Sequence, residues 1–387
     1  MTTPIRRRLC QLRDDESGQT LVYIAIGFMT FVAASTFAVD VGTVVTARTQ
    51  AQSAANAAAL AGATALVHDA SSTGVAVQGA IASARRVSVV GTSPSVLPTD
   101  VTFQHDAAGR SSRVQVKVYR TAARQTALPT LIGPLIGVPT IDVAASATAE
   151  ALPANAVACV KPFMIPDKWM ENSDGQGRAT GTWTPASQFD VLGAFGAPLA
   201  RPDVYYPVHD VRYTGYTVWR DKGLGLTLHA ATGPQVTSTG YLPWKMSPDR
   251  ADYRDDVAGC NASLMHLGQS VAVEPGHVAA LTAGVQDLID QDPQARWDSR
   301  CKCVVDSAYG ADSPRVFPIP LYDPAAYAAG SRHGRTEYRV ANFLGFFVDS
   351  LQGDSVSGYI TDIIGVTDAT AGPAPAAAFP KTIRLVQ

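Results

Sequence analysis

Any chemistry in this chain must come from seven histidines (His68, His105, His209, His229, His266, His277 and His333), five cysteines and scattered carboxylates. No histidine stands in an HExxH pattern or in an H-x-E followed by CxxC, spacings that bring zinc ligands onto one helix face or turn. No GxSxG surrounds a serine, and neither a Walker loop nor a GxGxxG turn is present. Asp203 with His209-Asp210, and His333 with Glu337, each put an acid near a base. That becomes a proton-transfer pair only if the fold seats it in a pocket. The stretch ENSDGQG at 171–177 has the oxygen ligands of a calcium loop but lacks the twelfth-position glutamate of an EF-hand, so it reads as a turn. The expectation is a non-enzymatic protein with no catalytic, cofactor-binding or metal-ligating residue. The competing reading is a membrane-tethered extracytoplasmic hydrolase or ligand-binding protein.

Cys10 precedes a long apolar run, whereas Cys159, Cys260, Cys301 and Cys303 follow it. Four cysteines on one side of a membrane imply an oxidising compartment and two disulfides. A bridge inside Cys301-x-Cys303 closes a very tight ring. The expected pairing therefore joins Cys159 and Cys260 each to one cysteine of that pair. A metal site is the weaker alternative, because CxC is not the CxxC of a zinc knuckle.

The carboxylate of Asp40 is the other candidate. Thr20–Val39 carries no charge and at 1.5 Å per residue reaches roughly 30 Å, the thickness of a hydrocarbon core. Arg6, Arg7, Arg8 and Arg13 stand ahead of it, which places the N-terminus in the cytoplasm and the bulk outside. A cleavable signal peptide ending at Thr36-Phe37-Ala38 is the alternative. Asp40 either marks the membrane boundary or meets a partner there. Steps of four and three from it reach Val44, Ala47, Ala51, Ala54, Ala58, Ala61 and Ala65, a heptad face made almost wholly of alanine. Such a seam buries little area but lets another backbone come close. It is read as a partner interface headed by Asp40.

These residues must be positioned by the following elements. Val77, Ile81, Ala84 and Val87 give residues 75–90 a helical stripe. DVTFQH and SRVQVKVYR alternate as a hairpin around Ala107-Ala108-Gly109, and VPTIDVAASATAEA returns as a strand. ALPTLIGPLIG reads as a short apolar connector. Beyond residue 160 lie all five tryptophans and most tyrosines. There YTGYTVWRD, LGLTLHA, RVFPIPLYD, YRVANFLGFFVDS and GYITDIIGV recur as β-type runs. One helix, with Val278, Leu281, Val285, Leu288 and Ile289 on its apolar face, ends at Asp292-Pro293.

The fold class is thus α+β. A single transmembrane helix extends into an Ala-rich helix, then comes a small helix-plus-antiparallel-sheet domain and a larger mixed, β-rich extracytoplasmic one. The boundaries run 1–19 (basic cytoplasmic N-terminus), 20–42 (membrane helix), 43–152, 153–370, and 371–387 (flexible linker and C-terminal strand). A net charge of −2 gives no sign of nucleic acid as a partner.

The set SGQTLVYIAI…FAVDVGTVVTARTQAQSAANAAALAGATAL, with Gly18-Gln19 before the run, Asp40 and Gly42 at its end and alanines around Asn56 and Gly62, resembles the TadE/TadG-like N-terminal segment of Flp (Tad) pilus-assembly proteins. The resemblance implies a single-pass protein of the bacterial inner (cytoplasmic) membrane. Its implied partners are the lipid bilayer and other Tad pilus inner-membrane or minor pilin proteins. Pilins of that system are cut after a Gly ahead of Glu-Tyr or Glu-Phe; here Val22 precedes Tyr23. The Asp-x-Ser-x-Ser metal motif of many TadG proteins does not occur.

Overall fold

A computed structural model describes residues 17–68, 73–106, 109–174, 178–179, 181–193, 196–246, 253–274, 276–330 and 336–386. The basic N-terminal arginines, Cys10, His333 and part of the 171–177 turn lie outside the described residues. The chain divides into two units: residues 1–66, 71–150 and 384–387 in the first, 67–70 and 151–383 in the second.

Helix α1 (Ser17–His68), which belongs to the first unit through Leu66, is unbroken over 52 residues, about 78 Å. It contains no proline, and its alanines favour the helix throughout. In its apolar half the hydroxyls of Thr30, Thr36 and Thr43 donate back to the carbonyls of Ile26, Val32 and Val39 at 2.8–2.9 Å. Those hydroxyls need no water. Helix α2 (Thr73–Arg86) follows, and Ser83 Oγ donates to the Ala57 carbonyl at 3.1 Å. Its buried stripe is Ala76, Ala80 and Ala84. Val77 and Ile81, expected to lead that face, sit half-buried beside it. Alanine on both sides of the crossing lets the backbones close, and larger side chains are displaced to the flanks.

Strands β1 (Val101–His105) and β2 (Ser111–Arg120) form the expected antiparallel hairpin, with Val101 opposite Val116. Between β2 and β5 (Val143–Pro153) the chain makes a smaller excursion, Leu128–Pro129 (β3) pairing with Thr140–Ile141 (β4). The sheet order is β1-β2-β5 and then the C-terminal strand Lys381–Val386. On β2 the alternation is clean: Val114, Val116 and Val118 are buried while Lys117 is exposed. Glu150 fastens the last two strands, accepting from Arg113 Nε at 2.5 Å and Arg384 Nε at 2.6 Å. Burial alone would raise its pKa, but the bonds from Arg384 and Arg113 outweigh it and hold the carboxyl below the ordinary range.

In the second unit the main sheet runs β7 (Ile165–Pro166), β14 (Val316–Tyr322), β15 (Glu337–Gln352), β16 (Ser355–Thr361), β8 (Gly225–Ala230), β9 (Gly240–Tyr241), with β11 (Ser270–Ala272) on the start of β15. The intervening short strands are β6 (Ala156–Val157), β10 (Met265–His266), β12 (Arg296–Asp298) and β13 (Cys303–Val305), and the C-terminal strand is β17. Strand β14 carries Pro318 and Pro320, which have no N–H to give. It tolerates them because its second side pairs with a strand only at Leu321–Tyr322, and at Pro318 that side needs only an acceptor, the carbonyl taking a bond from Lys161 N at 3.0 Å. Tyr253–Ala258 (α3) crosses Val278–Gln291 (α4) at Gly284, where a Cβ would stand 2.6 Å from the Arg254 carbonyl oxygen. Leu281, Val285 and Leu288 of α4 are buried.

Two expectations are corrected. Val218–Asp221, within YTGYTVWRD, is a helical turn rather than a strand: Asp221 Oδ2 accepts from Thr217 N at 2.8 Å and folds the segment back on itself. The linker-like stretch before β17 is not free. Ala378 and Phe379 are buried, and Phe379 N donates to Asn342 Oδ1 at 3.2 Å.

Candidate functional site

Among the described residues one helix is long and apolar enough to cross a membrane, and it lies near the N-terminus. From Gln19 to Val39 its side chains are exposed, Leu21, Tyr23, Phe28, Met29, Phe31 and Phe37 among them. A water-soluble fold would cover such a row. Thr36 alone in that span is half-buried.

The apolar run ends at Asp40, which is 9% exposed. Its Oδ1 accepts from the backbone N–H of Leu131 at 2.8 Å and its Oδ2 from that of Ile132 at 3.0 Å. The donors sit in the tip of the β3–β4 hairpin, just ahead of a short 3-10 turn, Gly133–Ile136. Asp40 thus caps a turn from another part of the chain, as an N-cap side chain does locally, with a charge-assisted bond to each of two orphan donors. Its partner lies some ninety residues along the same molecule, not on a second helix, so its place in the expected partner interface is corrected.

The alanine seam is likewise closed from within. Ala47, Ala51, Ala54 and Ala58 are wholly buried; Val44, Ala61 and Ala65 are half-buried. Further along, the buried positions become Ala59, Gly62, Ala63 and Leu66. A straight α-helix drifts about 20° per heptad against a 3.5-residue repeat. Without a supercoiled partner the buried face therefore slides to later positions. At Gly62 a Cβ would lie 3.1 Å from Val114 Cγ1 and 3.6 Å from Ala80 Cβ, so β2 and α2 both press on it. Gln52 Nε2 donates to the Ser146 carbonyl at 3.0 Å, and Gln50 Oε1 accepts from Val90 N at 2.7 Å. Of the residues read as a surface for another protein, Ala47, Ala51, Ala54 and Ala58 are buried against this chain's own sheet and second helix, while Val44, Ala61 and Ala65 keep some exposure.

The cysteines are bridged, but not in the expected pairing. Cys159 joins Cys260 (Cα–Cα 4.5 Å) and Cys301 joins Cys303 (Cα–Cα 5.2 Å). The tight ring is accommodated at the β12–β13 turn, where Lys302 takes φ 50° and the Asp298–Cys303 pair closes the ladder.

The His–Asp contacts among the described residues are not the expected ones: His266 Nε2 meets Asp368 Oδ2 at 2.9 Å and His68 meets Asp362, while His333 lies outside the described residues. Asp203 spends its carboxylate on backbone N–H groups, from Asn172 at 2.8 Å and Asp190 at 2.8 Å; Asp210 is bound to Arg212 at 2.8 Å. Among the described residues no three His, Cys, Asp or Glu side chains are placed to hold a metal. Two surface depressions, of about 130 Å³ around Asp349 and Tyr359 and about 230 Å³ around Lys117 and Tyr119, contain no histidine. Both are smaller than pockets that engulf a ligand.

One buried group has no signature in the sequence. Asp167 is fully buried and accepts from Tyr216 N (2.9 Å), Tyr213 OH (2.8 Å), Tyr205 OH (2.9 Å) and Lys168 N (2.9 Å). Burial raises its pKa to about 6 against those donors. Its partners come from several segments, so no local motif announces it. Asn342 Nδ2 extends the network to Tyr213 OH at 2.7 Å, which ties β15 to the loop.

Residues 18–65 match the family model described as "Putative Flp pilus-assembly TadE/G-like". No curated protein and no solved structure matches the chain.

Proposed function

We propose that this chain is a non-enzymatic, TadG-like component of Flp (Tad) pilus assembly, anchored by α1 in the inner membrane with its N-terminus in the cytoplasm. The match at residues 18–65 suggests a role in that machinery. The observation that carries the membrane part is the exposed apolar half of α1, continuous with a half whose alanines are buried in the first unit. One rigid rod would thereby fix a folded body to the bilayer. The four bridged cysteines support an oxidising, extracytoplasmic side for that body. Since the alanine seam is already covered, contacts with other pilus proteins fall on remaining surfaces of the body. Co-purification of the tagged full chain with the inner-membrane pilus complex, and loss of pili on deletion, are the expected results. Normal piliation without the gene rejects the assignment.

A further inference from the structure

The hairpin tip bound by Asp40 has the composition of a second membrane contact. From Gln125 to Ile141 the chain has no charge. At the tip Leu131, Leu135 and Ile136 are 64%, 83% and 73% exposed, with Val138 and Pro134 beside them. An exposed apolar patch on a folded body calls for a cover. The position of this one indicates which.

Asp40 fixes the tip where the apolar run of α1 stops. Ala47, the first wholly buried alanine, lies about 10 Å further from the run, so the tip projects beyond the sheet toward the membrane half of the helix. Thr36, one turn nearer the bilayer on the same face, is the half-buried residue of that span. The base of the hairpin, by contrast, is held in the core by Leu128.

Most N–H groups of the tip are also satisfied inside the protein, which lowers the usual obstacle to contact with lipid. Irregular backbone meets the hydrocarbon boundary only when its polar groups are satisfied inside the protein. Leu131 and Ile132 N–H are taken by Asp40. Thr130 N donates to the Pro139 carbonyl, Leu135 N to Ile132, and Val138 N and Gly137 N both to Gly133. Pro134 and Pro139 have no N–H, and Thr130 Oγ1 donates to the Val138 carbonyl at 2.8 Å. Gly133 makes this folding possible, since a Cβ there would fall 1.9 Å from the Val138 oxygen.

We propose that residues 130–139 form an interfacial wedge, docked on α1 by Asp40, whose Leu131, Leu135 and Ile136 enter the outer leaflet at the headgroup–acyl boundary. The wedge gives the anchor a second point of attachment and so fixes the rotation of the body about the helix. The inference rests on α1 being the membrane anchor, and the test separates the two.

The full chain carrying Cys10→Ser and one added cysteine (Ile136→Cys, Leu135→Cys, Phe28→Cys or Val75→Cys) is labelled with an environment-sensitive fluorophore without reduction. It is then reconstituted in vesicles of phosphatidylethanolamine and phosphatidylglycerol. Val75 is exposed at the start of α2, about 40 Å along α1 from Asp40. Labels at 28, 135 and 136 are expected to be quenched by acyl-chain nitroxide lipid at least threefold more than one at 75, with iodide showing the reverse order. Nitroxide quenching at 28 with iodide access at 135 and 136 overturns the wedge and leaves the anchor. Shielding of 135 and 136 from both quenchers means a protein covers the tip and also overturns it. Absence of nitroxide quenching at 28 overturns anchor and wedge together.

Discussion

Replacing Asp40 with Asn tests the capping bond with almost no change in shape. The carboxylate offers one oxygen to Leu131 N–H at 2.8 Å and the other to Ile132 N–H at 3.0 Å. An asparagine keeps one acceptor and turns its NH2 toward the second donor. One charge-assisted bond is lost, the other weakens to a neutral one, and a part-buried N–H is left unpaired. Bonds to a charged group contribute about 1.5–3 kcal/mol each. The tip should therefore open about 10–100 times more readily, taking 1.4 kcal/mol per tenfold. Hydrogen exchange of the reconstituted full chain, followed in peptides covering 128–141, should speed up by that factor. Peptides from β2 and β5 should not change, because their ladder does not involve Asp40. Unchanged exchange at the tip would show that Asp40 only marks the end of the apolar run, and the capping argument would fall.

Ala54→Leu inserts three carbons at a position of α1 with no free surface; overpacking of that kind costs about 1–3 kcal/mol. It should lower the denaturation midpoint of the first unit, even in monomeric protein, whereas a pure partner seam would leave that midpoint untouched. Asp167 titrates the other way from a salt-bridged acid. Its pKa is raised by burial from 3.8 to about 6 in the folded state. The native protein therefore holds the extra proton between those values, and the contribution is fully present below about pH 4 and lost as pH rises through 6. Two pH units correspond to about 3 kcal/mol. Asp167→Asn should flatten that slope in urea unfolding followed by tryptophan emission, which reports the second unit because all five tryptophans belong to it. A slope unaltered by the substitution would assign the effect to other acids, such as Asp190, also raised to about 6 by burial. Cys159 and Cys260 close a loop with a sequence separation of 101, for which the chain-entropy relation gives about 4–5 kcal/mol. Cys301 and Cys303 are separated by 2. Removing the first bridge by Ser substitution should lower the melting temperature far more than removing the second. Equal effects would contradict the pairing.

The amino-acid sequence by itself determined the elements whose signal is local. The uncharged run and the alanines that follow dictate one continuous helix, because nothing in them breaks it and one half suits lipid. Period-two alternation located the β1–β2 hairpin, and Asp292-Pro293 ended α4 at the residue where the structure ends it. Even the alanine face was legible through Ala58, after which the 3.6-residue turn carried burial from Ala61 and Ala65 toward Gly62 and Leu66.

What the tertiary structure decided were matters of distance between remote segments. Whether an alanine seam is covered by another protein or by its own sheet depends on where β2 folds, and seam composition suits both. Cysteine spacing set the ring sizes, but proximity chose Cys159–Cys260, since two chain segments a hundred residues apart meet only in the folded body. The same holds for Asp40. A carboxylate at the end of an apolar run shows that something must satisfy it, while the backbone donors that do so come from a connector whose position only folding specifies.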